Sequence, residues 1–494
     1  MATTSGEEHI VPAIGTKNAV LGLLAVLVLF ACADAGPLLL SPTPLPQAPR
    51  AAAARFDADA AHRHLEYIAD PARKGRLSGS AGYLDAARYV ADRFRDIGLD
   101  PGGDGGTFFQ HFALAVPRLA ADPELAVIGP GATSFRFRAD FAELVGGLRG
   151  GGQVQAPLVY VGGAVDSASY SDFAGVDVEG KAVIVAGPLD GDPAGNAIRH
   201  GAVAVLFVAR DNPGPLVHYS YLADIAPNAV PTVAVTEPVA DRLVASSGRR
   251  VADLRGQLER ERSLPKRVPL SFDTGLTVRV GVPLAPRTDV DAVNVVGVLR
   301  PADQAAEKYV VVGGHLDGVG TDPDGTVYPA ANDNASGPAV TIEVARALAA
   351  ERGKLRDGVI FVAWAGEEEG LRGSAEFLRR AAGTPFAAEH LTAYLNLDVV
   401  GCCGTRLAAS RDNASLFAAL STAAGKRGVS LASTNGSSDH ETFTRAGVPA
   451  AIVIWAEIGA IHTTTDTSSV VDAAHLATVG DVTVQAVLDL AGSG

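Results

Sequence analysis

The second half of the chain alternates short apolar runs with longer segments of helical periodicity. The apolar runs indicate buried strands, and they cover residues 309–312, 359–364, 394–397 and 450–455. The amphipathic segments indicate helices, and they cover residues 338–350, 375–382, 414–425 and 471–490. Strands that alternate with helices predict an α/β fold with a mainly parallel mixed sheet and helices on both faces.

Each predicted strand is followed by side chains that can bind a cation. These side chains, together with one from the ANDNASG segment between the first two strands, are His315, Asp317, Asp333, Glu367, Glu368, Asp398 and His462. Burying such groups without partners would cost several kcal/mol each. Because sites in open parallel sheets form at the carboxyl ends of the strands, the pattern predicts a metal centre at that edge.

The residue types indicate which metal the centre binds. Two imidazoles and three carboxylates, from His315, Asp333, Glu368, Asp398 and His462, suit zinc, which takes nitrogen and oxygen ligands in tetrahedral sites. Five ligands are too many for one open tetrahedral ion. They suit two ions if one carboxylate bridges them.

Taken one at a time, these motifs have simpler explanations. The HLD segment at His315 could be an ordinary loop, and the segment around Asp333 could be a turn that begins a helix. The EEEG segment could be an acidic turn in solvent, which is what we expect for Glu369. The metal hypothesis depends on all the motifs occurring in order, each beside a strand.

In this order, the residues resemble the two-zinc aminopeptidases related to glutamate carboxypeptidase. The resemblance implies two Zn²⁺ ions, one held by His315 and Asp398 and the other by Glu368 and His462, with Asp333 bridging. It covers the whole of the predicted catalytic half.

The same resemblance assigns roles to residues beside the ligands. It implies that Glu367 is the general base, that Asp317 orients His315, and that the peptide bond between residues 333 and 334 is cis. The chain departs from the family at Ile461, where many members have a tyrosine before the last histidine. The residue that stabilises the oxyanion is therefore not identified from the sequence.

The preceding residues divide into three further parts. Residues 55–145, with helical segments at 57–69 and 83–97, are predicted to be the first part of the catalytic domain, and residues 285–494 its main part. Residues 146–284 resemble an inserted protease-associated (PA) domain, on the basis of spaced strands and the GKAVIV segment at 180–185. His200 and His218 lie in this insertion and are expected to be ordinary loop or surface histidines.

The N-terminal segment predicts export. Residues 1–35 are interpreted as a signal peptide or lipoprotein signal. Lys17 precedes an apolar run that is shorter than the about 20 residues that a helix needs to span a bilayer. Residues 36–54 are rich in Pro and Ala and predict a tether. The location would be periplasmic, cell-envelope or extracellular, with lipid anchoring through Cys32 or membrane attachment by an uncleaved segment as alternatives.

The net charge indicates which classes of partner to expect, and the cysteine content bears on metal binding and disulfide formation. The net charge of −14 and the absence of a phosphate-binding GKS/T loop argue against nucleic acid as a partner, so peptide substrates are expected. Cys402 and Cys403 are adjacent and are expected not to bind metal. A disulfide between them and two buried thiols both remain open.

These observations predict an exported zinc-dependent exopeptidase that hydrolyses residues from the amino end of peptides. The alternatives are a carboxypeptidase of the glutamate carboxypeptidase type, a receptor-like binding protein on the same fold, and a glutaminyl-cyclase-like transferase. Binding relatives lose ligands, whereas all five ligands and Glu367 are present here. The sequence leaves the oligomeric state open.

Overall fold

The computed structural model describes residues 56–187, 192–209, 216–262, 264, 267–302 and 307–492. The predicted signal segment and tether, residues 1–54, lie outside the described residues. Within the described part of the chain, no helix has the length and hydrophobicity that crossing a bilayer requires.

Helices form at each of the predicted helical segments, and further helices form between residues 193 and 262 and at residues 440–445. They are α1 (Ala58–Ile68), α2 (Ala81–Ile97), α3 (Pro193–Arg199), α4 (Glu237–Leu243), α5 (Val251–Arg262), α6 (Ser336–Ala350), α7 (Arg372–Ala381), α8 (Ala414–Lys426), α9 (His440–Arg445) and α10 (Ala473–Ala491). Local chemistry sets their ends. Ser80 caps α2 by accepting a hydrogen bond from the Tyr83 N–H, and Gly98 ends it in the left-handed conformation with φ of 85°.

The strands are, in chain order, β1 (Asp100–Pro101), β2 (Phe109–Ala115), β3 (Glu124–Ile128), β4 (Thr133–Ser134), β5 (Phe141–Glu143), β6 (Gly147–Gly150), β7 (Gly152–Tyr160), β8 (Asp166–Ser167), β9 (Tyr170–Ser171), β10 (Ala182–Val185), β11 (Ala204–Val208), β12 (Ile225–Val235), β13 (Phe272–Val282), β14 (Asp289–Leu299), β15 (Tyr309–His315), β16 (Gly358–Trp364), β17 (Leu391–Leu397), β18 (Leu407–Ser410), β19 (Leu431–Thr434) and β20 (Ala450–Trp455). Apart from the short pair β8–β9, they form two large sheets.

The first sheet runs in the order β1-β14-β16-β15-β17-β20-β18-β19, with β2 also paired to β14. Its central strands β16, β15, β17 and β20 are parallel to one another. The neighbouring strands β14 and β18 are antiparallel to them. The sheet is therefore mixed with a parallel centre, as the alternation of strands and helices predicts.

Helices cover both faces of this sheet, so its central strands are buried and mostly apolar. Val310 and Val312 of β15 pack into a core with α1, α2, α6, α8 and α10. Tyr309 and Val311 point to the opposite face, into a core with Phe377 of α7 and Phe443 of α9. The alternation of faces along a strand explains why one apolar run supplies two cores.

The second sheet runs in the order β4-β3-β13-β7-β10-β11-β12-β5, with β6 also paired to β12. It begins at Glu124, whereas the sequence places the start of the insertion at residue 146. The earlier start follows from the pairing of β3 with β13 and of β5 with β12, contacts between segments far apart in the chain. Residues 124–282 are called the second-sheet unit below, and its identity as a PA domain stays a prediction.

Candidate metal centre

The predicted ligands meet at the carboxyl ends of the central parallel strands. His315 is the last residue of β15, and Asp398 directly follows β17. The His315 Nε2 atom lies 3.4 Å from Asp398 Oδ1 and 3.3 Å from Asp333 Oδ1. These three residues form the first group of the centre.

A second group forms around His462, in the loop after β20. The His462 Nε2 atom lies 3.1 Å from Glu368 Oε1 and 3.1 Å from Asp333 Oδ2. Asp333 therefore directs one carboxylate oxygen to His315 and the other to His462. This is the division of ligands that the family resemblance implies.

Two observations test whether these residues fit zinc. Ligand atoms around a tetrahedral zinc lie about 3.3 Å from one another, since each is about 2.0–2.1 Å from the ion. The distances in both groups are close to this value. In addition, Asp398 Oδ1 and Glu368 Oε1 are buried and find no hydrogen-bond donor among the described residues. Buried acceptors of this kind are costly unless a cation satisfies them, so the residues fit the metal.

The turn that carries Asp333 is held from several sides. The Asp466 carboxylate accepts the main-chain N–H of Asn332 at 2.7 Å and of Asp333 at 3.1 Å. Asn334 donates to the Leu397 carbonyl at 2.9 Å, at the end of β17. The peptide bond between Asp333 and Asn334 is cis, in agreement with the expectation from the family. The Asp333 carboxylate is thus tied to the sheet edge beside Asp398.

Asp317 acts on two parts of the centre. Its main-chain oxygen lies 3.2 Å from His315 Nδ1, whereas its carboxylate lies 3.7 Å away, beyond hydrogen-bond distance. The carboxylate instead accepts the main-chain N–H of Glu367 at 3.4 Å and of Glu368 at 3.2 Å. Asp317 therefore faces His315 through its backbone and holds the Glu367–Glu368 turn through its side chain.

Glu367 lies beside the first group and is partly accessible to solvent. One ligating atom each from His315, Glu367 and Asp398 lie within 4.8 Å of one another. Burial raises the pKa of Glu367 well above its usual value, and Glu368, Asp439 and Asp398 raise it further, against the effect of His315. A carboxylate in these surroundings accepts a proton readily.

Asp439 adds a further carboxylate to the centre. It is fully buried and accepts a hydrogen bond from the Ser374 hydroxyl at 2.5 Å. Burial raises the pKa of Asp439 to about 7, and Asp317 and Asp398 contribute in the same direction. The next residue, His440, is buried with its Nε2 atom 3.3 Å from Asp412.

Glu369 is not the solvated acidic residue that we expect from the sequence. Its side chain is 2 % exposed. Burial raises the pKa of Glu369 well above its usual value, and Asp317 raises it further. The expectation is wrong because Ser78, from the loop before α2, and Ala223, from the second-sheet unit, both contact this turn.

The second-sheet unit reaches the centre through a loop that the motifs do not reveal. The Ser220 hydroxyl donates a hydrogen bond to Glu368 Oε2. The His218 main-chain N–H donates to the His462 carbonyl at 3.0 Å. His218 is buried, not at the surface, whereas His200 is partly exposed and stacks on Phe173. Neither histidine is a member of the two groups around Asp333.

A buried arginine, Arg76, binds main-chain carbonyls of the segments that lead to the candidate ligands. Arg76 donates to the carbonyls of Leu316 at 2.8 Å, Pro329 at 2.9 Å and Ala330 at 2.7 Å. Burial lowers the pKa of Arg76 to about 10, although nearby carboxylates such as Asp466 oppose this shift. No local pattern in the sequence around Arg76 shows that its side chain reaches these carbonyls.

Two features near His462 complete the description. Cys402 and Cys403 form a disulfide with each other, so the alternative of two free thiols is excluded. Ile461 packs against the cluster formed by Val399, Ala408, Ile452 and Ile454. Its side chain offers no hydrogen-bond donor, so the tyrosine of many relatives has no counterpart at this position.

Comparison with known proteins shows that the chain is similar to peptidases. Residues 294–487 match peptidase family M28. A probable leucine aminopeptidase from Arthroderma benhamiae is 32% identical over 186 residues, which is 35% of this chain and 51% of the relative. Aminopeptidase YwaD from Bacillus subtilis is 29% identical over 216 residues, 41% of this chain and 45% of the relative. The chain thus spans about half the length of these curated relatives.

Solved structures extend the likeness to both sheets. An aminopeptidase from Aneurinibacillus sp. strain AM-1 aligns with a TM-score of 0.67 at 24% identity, covering 89% of this chain and 95% of that one. BSAP, a zinc aminopeptidase from Bacillus subtilis, aligns with a TM-score of 0.63 at 21% identity, covering 89% and 96%. At these identities the likeness concerns the fold. The predicted α/β fold class and the resemblance to the zinc aminopeptidase type of family M28 are confirmed, whereas the inserted PA domain and the number of zinc ions stay predictions.

Proposed function

We propose that this chain, whose residues 294–487 belong to peptidase family M28, is a zinc-dependent exopeptidase that removes residues from the amino end of peptides. The observation that carries the proposal is the position of Asp333. Its two oxygens face His315 at 3.3 Å and His462 at 3.1 Å, and each histidine is paired with one further carboxylate. A shared carboxylate between two such groups suits a pair of metal ions.

The residues divide into ligands and groups that act on the proton. His315 and Asp398 on one side, Glu368 and His462 on the other, and Asp333 between them would hold two Zn²⁺ ions, which would activate a water molecule and polarise the scissile carbonyl. Glu367 accepts the proton of the attacking water. Glu367 then transfers this proton to the leaving amine, and burial, which raises the pKa of Glu367, favours the protonated form that this transfer needs.

The proposed metal pair would favour the amino end of a substrate. A free, neutral α-amine would bind one ion while the other polarises the scissile carbonyl.

A carboxypeptidase would need an arginine that grips the terminal carboxylate with paired donors. The three arginines near the motifs have other partners. Arg372 pairs with Asp224 at 2.6 Å, Arg445 pairs with Glu441 at 3.4 Å, and the Arg411 guanidinium lies 4.5 Å from the centre of the Phe417 ring. Their positions therefore support the aminopeptidase over the carboxypeptidase alternative.

A matched pair of peptides tests the proposal. Both have the same sequence; one is acetylated at its amino end and the other amidated at its carboxyl end. We expect release of free amino acid from the amidated peptide only, with about two zinc ions per chain by elemental analysis. Cleavage of the acetylated peptide alone would identify a carboxypeptidase.

Two further outcomes separate the remaining alternatives. A chain that holds two zinc ions but cleaves neither peptide would be a binding protein or a transferase. Loss of ammonia from a peptide with an amino-terminal glutamine, followed by mass spectrometry, would then identify cyclase activity.

The proposal extends to the location of the protein. The apolar run after Lys17 supports export, with residues 36–54 as a tether to the folded part. Mass spectrometry of the purified protein from the cell envelope and the medium distinguishes a cleaved signal, a lipid on Cys32 and an intact segment. The second-sheet unit is proposed to be the PA domain that the sequence predicts at residues 146–284.

A further inference from the structure

Residues 216–224, which we call the docking loop, connect the second-sheet unit to the metal centre. The loop lies between β11 and β12, and it is anchored on its own unit by hydrogen bonds from Leu216 N–H to the Arg138 carbonyl at 2.9 Å and from Leu222 N–H to the Val145 carbonyl at 3.1 Å. Between these anchors, the Ser220 hydroxyl and the His218 main chain contact the first-sheet part of the chain, whereas the Tyr221 side chain packs into the core of its own unit. The loop is therefore a fixed part of one unit that contacts the other.

The docking loop contacts the turn and the loop that carry two proposed ligands. Ser220 donates from its hydroxyl to Glu368 Oε2, and His218 donates from its main chain to the His462 carbonyl. The main-chain N–H of Ala223 donates to the Glu369 carbonyl at 3.0 Å, one residue beyond Glu368. Glu368 and His462 form the group that faces Asp333 Oδ2.

The other group has its support within the first sheet. His315 Nδ1 faces the Asp317 carbonyl, and the Asp398 main chain donates to the Val453 carbonyl of β20 at 3.2 Å. Among the described residues, the hydrogen bonds that join the docking loop to the first-sheet part of the chain involve His462, Glu368, Glu369 and Arg372, and none involves His315 or Asp398. The two proposed metal positions therefore differ in what holds their ligands.

The Ser220 hydroxyl determines the orientation of one ligand. It occupies Glu368 Oε2, so Oε1 is the oxygen that faces His462 at 3.1 Å. A carboxylate that lacks such a donor can rotate and present either oxygen. Groups that orient metal ligands in this way typically contribute about 10–100-fold to metal affinity.

Ion pairs hold the docking loop in place. Arg138 pairs with Glu143 at 2.8 Å within the second-sheet unit and with Asp322 at 2.7 Å in the loop after β15. At the other end of the docking loop, Asp224 pairs with Arg372 at 2.6 Å. Since the loop is fixed at both ends, the Ser220 hydroxyl has little freedom to leave Glu368.

We propose that Ser220 is a positioning residue through which the second-sheet unit sets the affinity of the Glu368–His462 metal position, while the His315–Asp398 position is independent of it. The inference rests on the proposed two-metal function. It assigns a role in the metal centre to a residue 148 positions before the ligand that it contacts.

Metal titration of a Ser220→Ala variant tests this inference without measuring activity. The full chain is stripped with a chelator and titrated with Co²⁺, and the visible absorption of the bound ion reports each position. We expect wild type to bind two equivalents. In Ser220→Ala, one equivalent binds as in wild type and the other about 10–100-fold more weakly.

Two variants control for the loop and for the hydroxyl. Tyr221→Phe deletes a hydroxyl from the same loop, but this hydroxyl donates to Glu143, so both equivalents bind as in wild type. Ser220→Thr keeps the donor and restores the weakened position. If Ser220→Ala does not fold, as judged by circular dichroism, Ser220→Gly replaces it, since glycine also removes the donor and adds no metal ligand.

The possible results are distinct. Unchanged binding in Ser220→Ala, or equal weakening of both positions, overturns the inference. Equal weakening in Tyr221→Phe and Ser220→Ala also overturns it, since the loop as a whole would then be responsible. Wild type that binds fewer than two equivalents overturns the two-metal function itself.

Discussion

Asp333 is the residue on which both metal positions depend, because each of its carboxylate oxygens faces a different histidine. Asn has the same size but replaces one oxygen with an NH₂ group, which cannot ligate zinc. We expect Asp333→Asn to retain less than half the zinc of wild type after dialysis and to lose activity. Elemental analysis measures the zinc content. Asp324→Asn, an exposed carboxylate in the loop after β15, is the control that keeps the metal.

Glu367 and Glu368 are adjacent, and the proposed function gives them different tasks. Glu367→Gln removes the group that accepts the proton, so we expect kcat to fall by about 10²–10⁴-fold while both zinc ions remain. Glu368→Gln removes a ligand, so we expect it to lose metal as well as activity. The pair is compared by steady-state kinetics and zinc content on the same preparations. The reverse result would exchange the two roles.

The carboxyl ends of β15, β16 and β17 form one edge because these strands are parallel neighbours. His315, the Glu367–Glu368 turn and Asp398 are brought together by this register alone. The docking loop is a different kind of element, since it comes from the other sheet and has no regular structure. The centre thus combines a rigid strand edge with a loop whose position depends on tertiary contacts.

His218 in the docking loop predicts a dependence of stability on pH. Its ring lies 4.9 Å from the rings of Tyr221 and Tyr328, its Nδ1 lies 3.0 Å from the Tyr219 carbonyl, and its Nε2 lies 3.8 Å from Asp322. Burial lowers the pKa of His218 well below 6.5, and the charges of Arg138 and His462 lower it further.

Because the folded protein keeps His218 neutral, its contribution to stability is complete above the unfolded pKa of about 6.5 and is lost as the pH falls from there toward the lower folded pKa. We expect the thermal midpoint of His218→Asn to fall less steeply than that of wild type between pH 7.5 and 5.0. The difference between the two proteins at pH 8 gives the structural cost of the substitution alone. Parallel curves would contradict the assignment.

Metal binding should stabilise the fold as a whole, since the ligands join segments from residue 315 to residue 462. A ligand at 1,000 times its Kd stabilises the folded state by about 4 kcal/mol. We expect a chelator to lower the thermal midpoint of wild type and added Zn²⁺ to restore it, as measured by calorimetry. Asp333→Asn should respond little to either, because it has lost the metal already.

The local pattern of the chain was sufficient for the fold class and for selecting the candidate ligands, whose roles stay predictions. Apolar runs of strand length ended at His315, Asp398 and the Glu367–Glu368 turn, and burial of both sheet faces required those runs to be apolar. The parallel connection of such strands then brought their ends to one edge. These features depend on short stretches of chain, so the sequence alone could predict them.

Other features depend on contacts between distant segments. The start of the second sheet at Glu124 follows from the pairing of β3 with β13, and the burial of Glu369 follows from its contacts with Ser78 and the docking loop. Ser220 and Arg76 likewise have ordinary loop neighbours in the sequence. Only in the folded chain does Ser220 donate to Glu368 and Arg76 donate to the Leu316 carbonyl.

Thus the sequence by itself determined which residues can bind metal, through strand pattern and side-chain chemistry. Only the tertiary structure decided which groups hold those ligands in place, because these groups approach the ligands across the fold and leave no periodic signal in the chain.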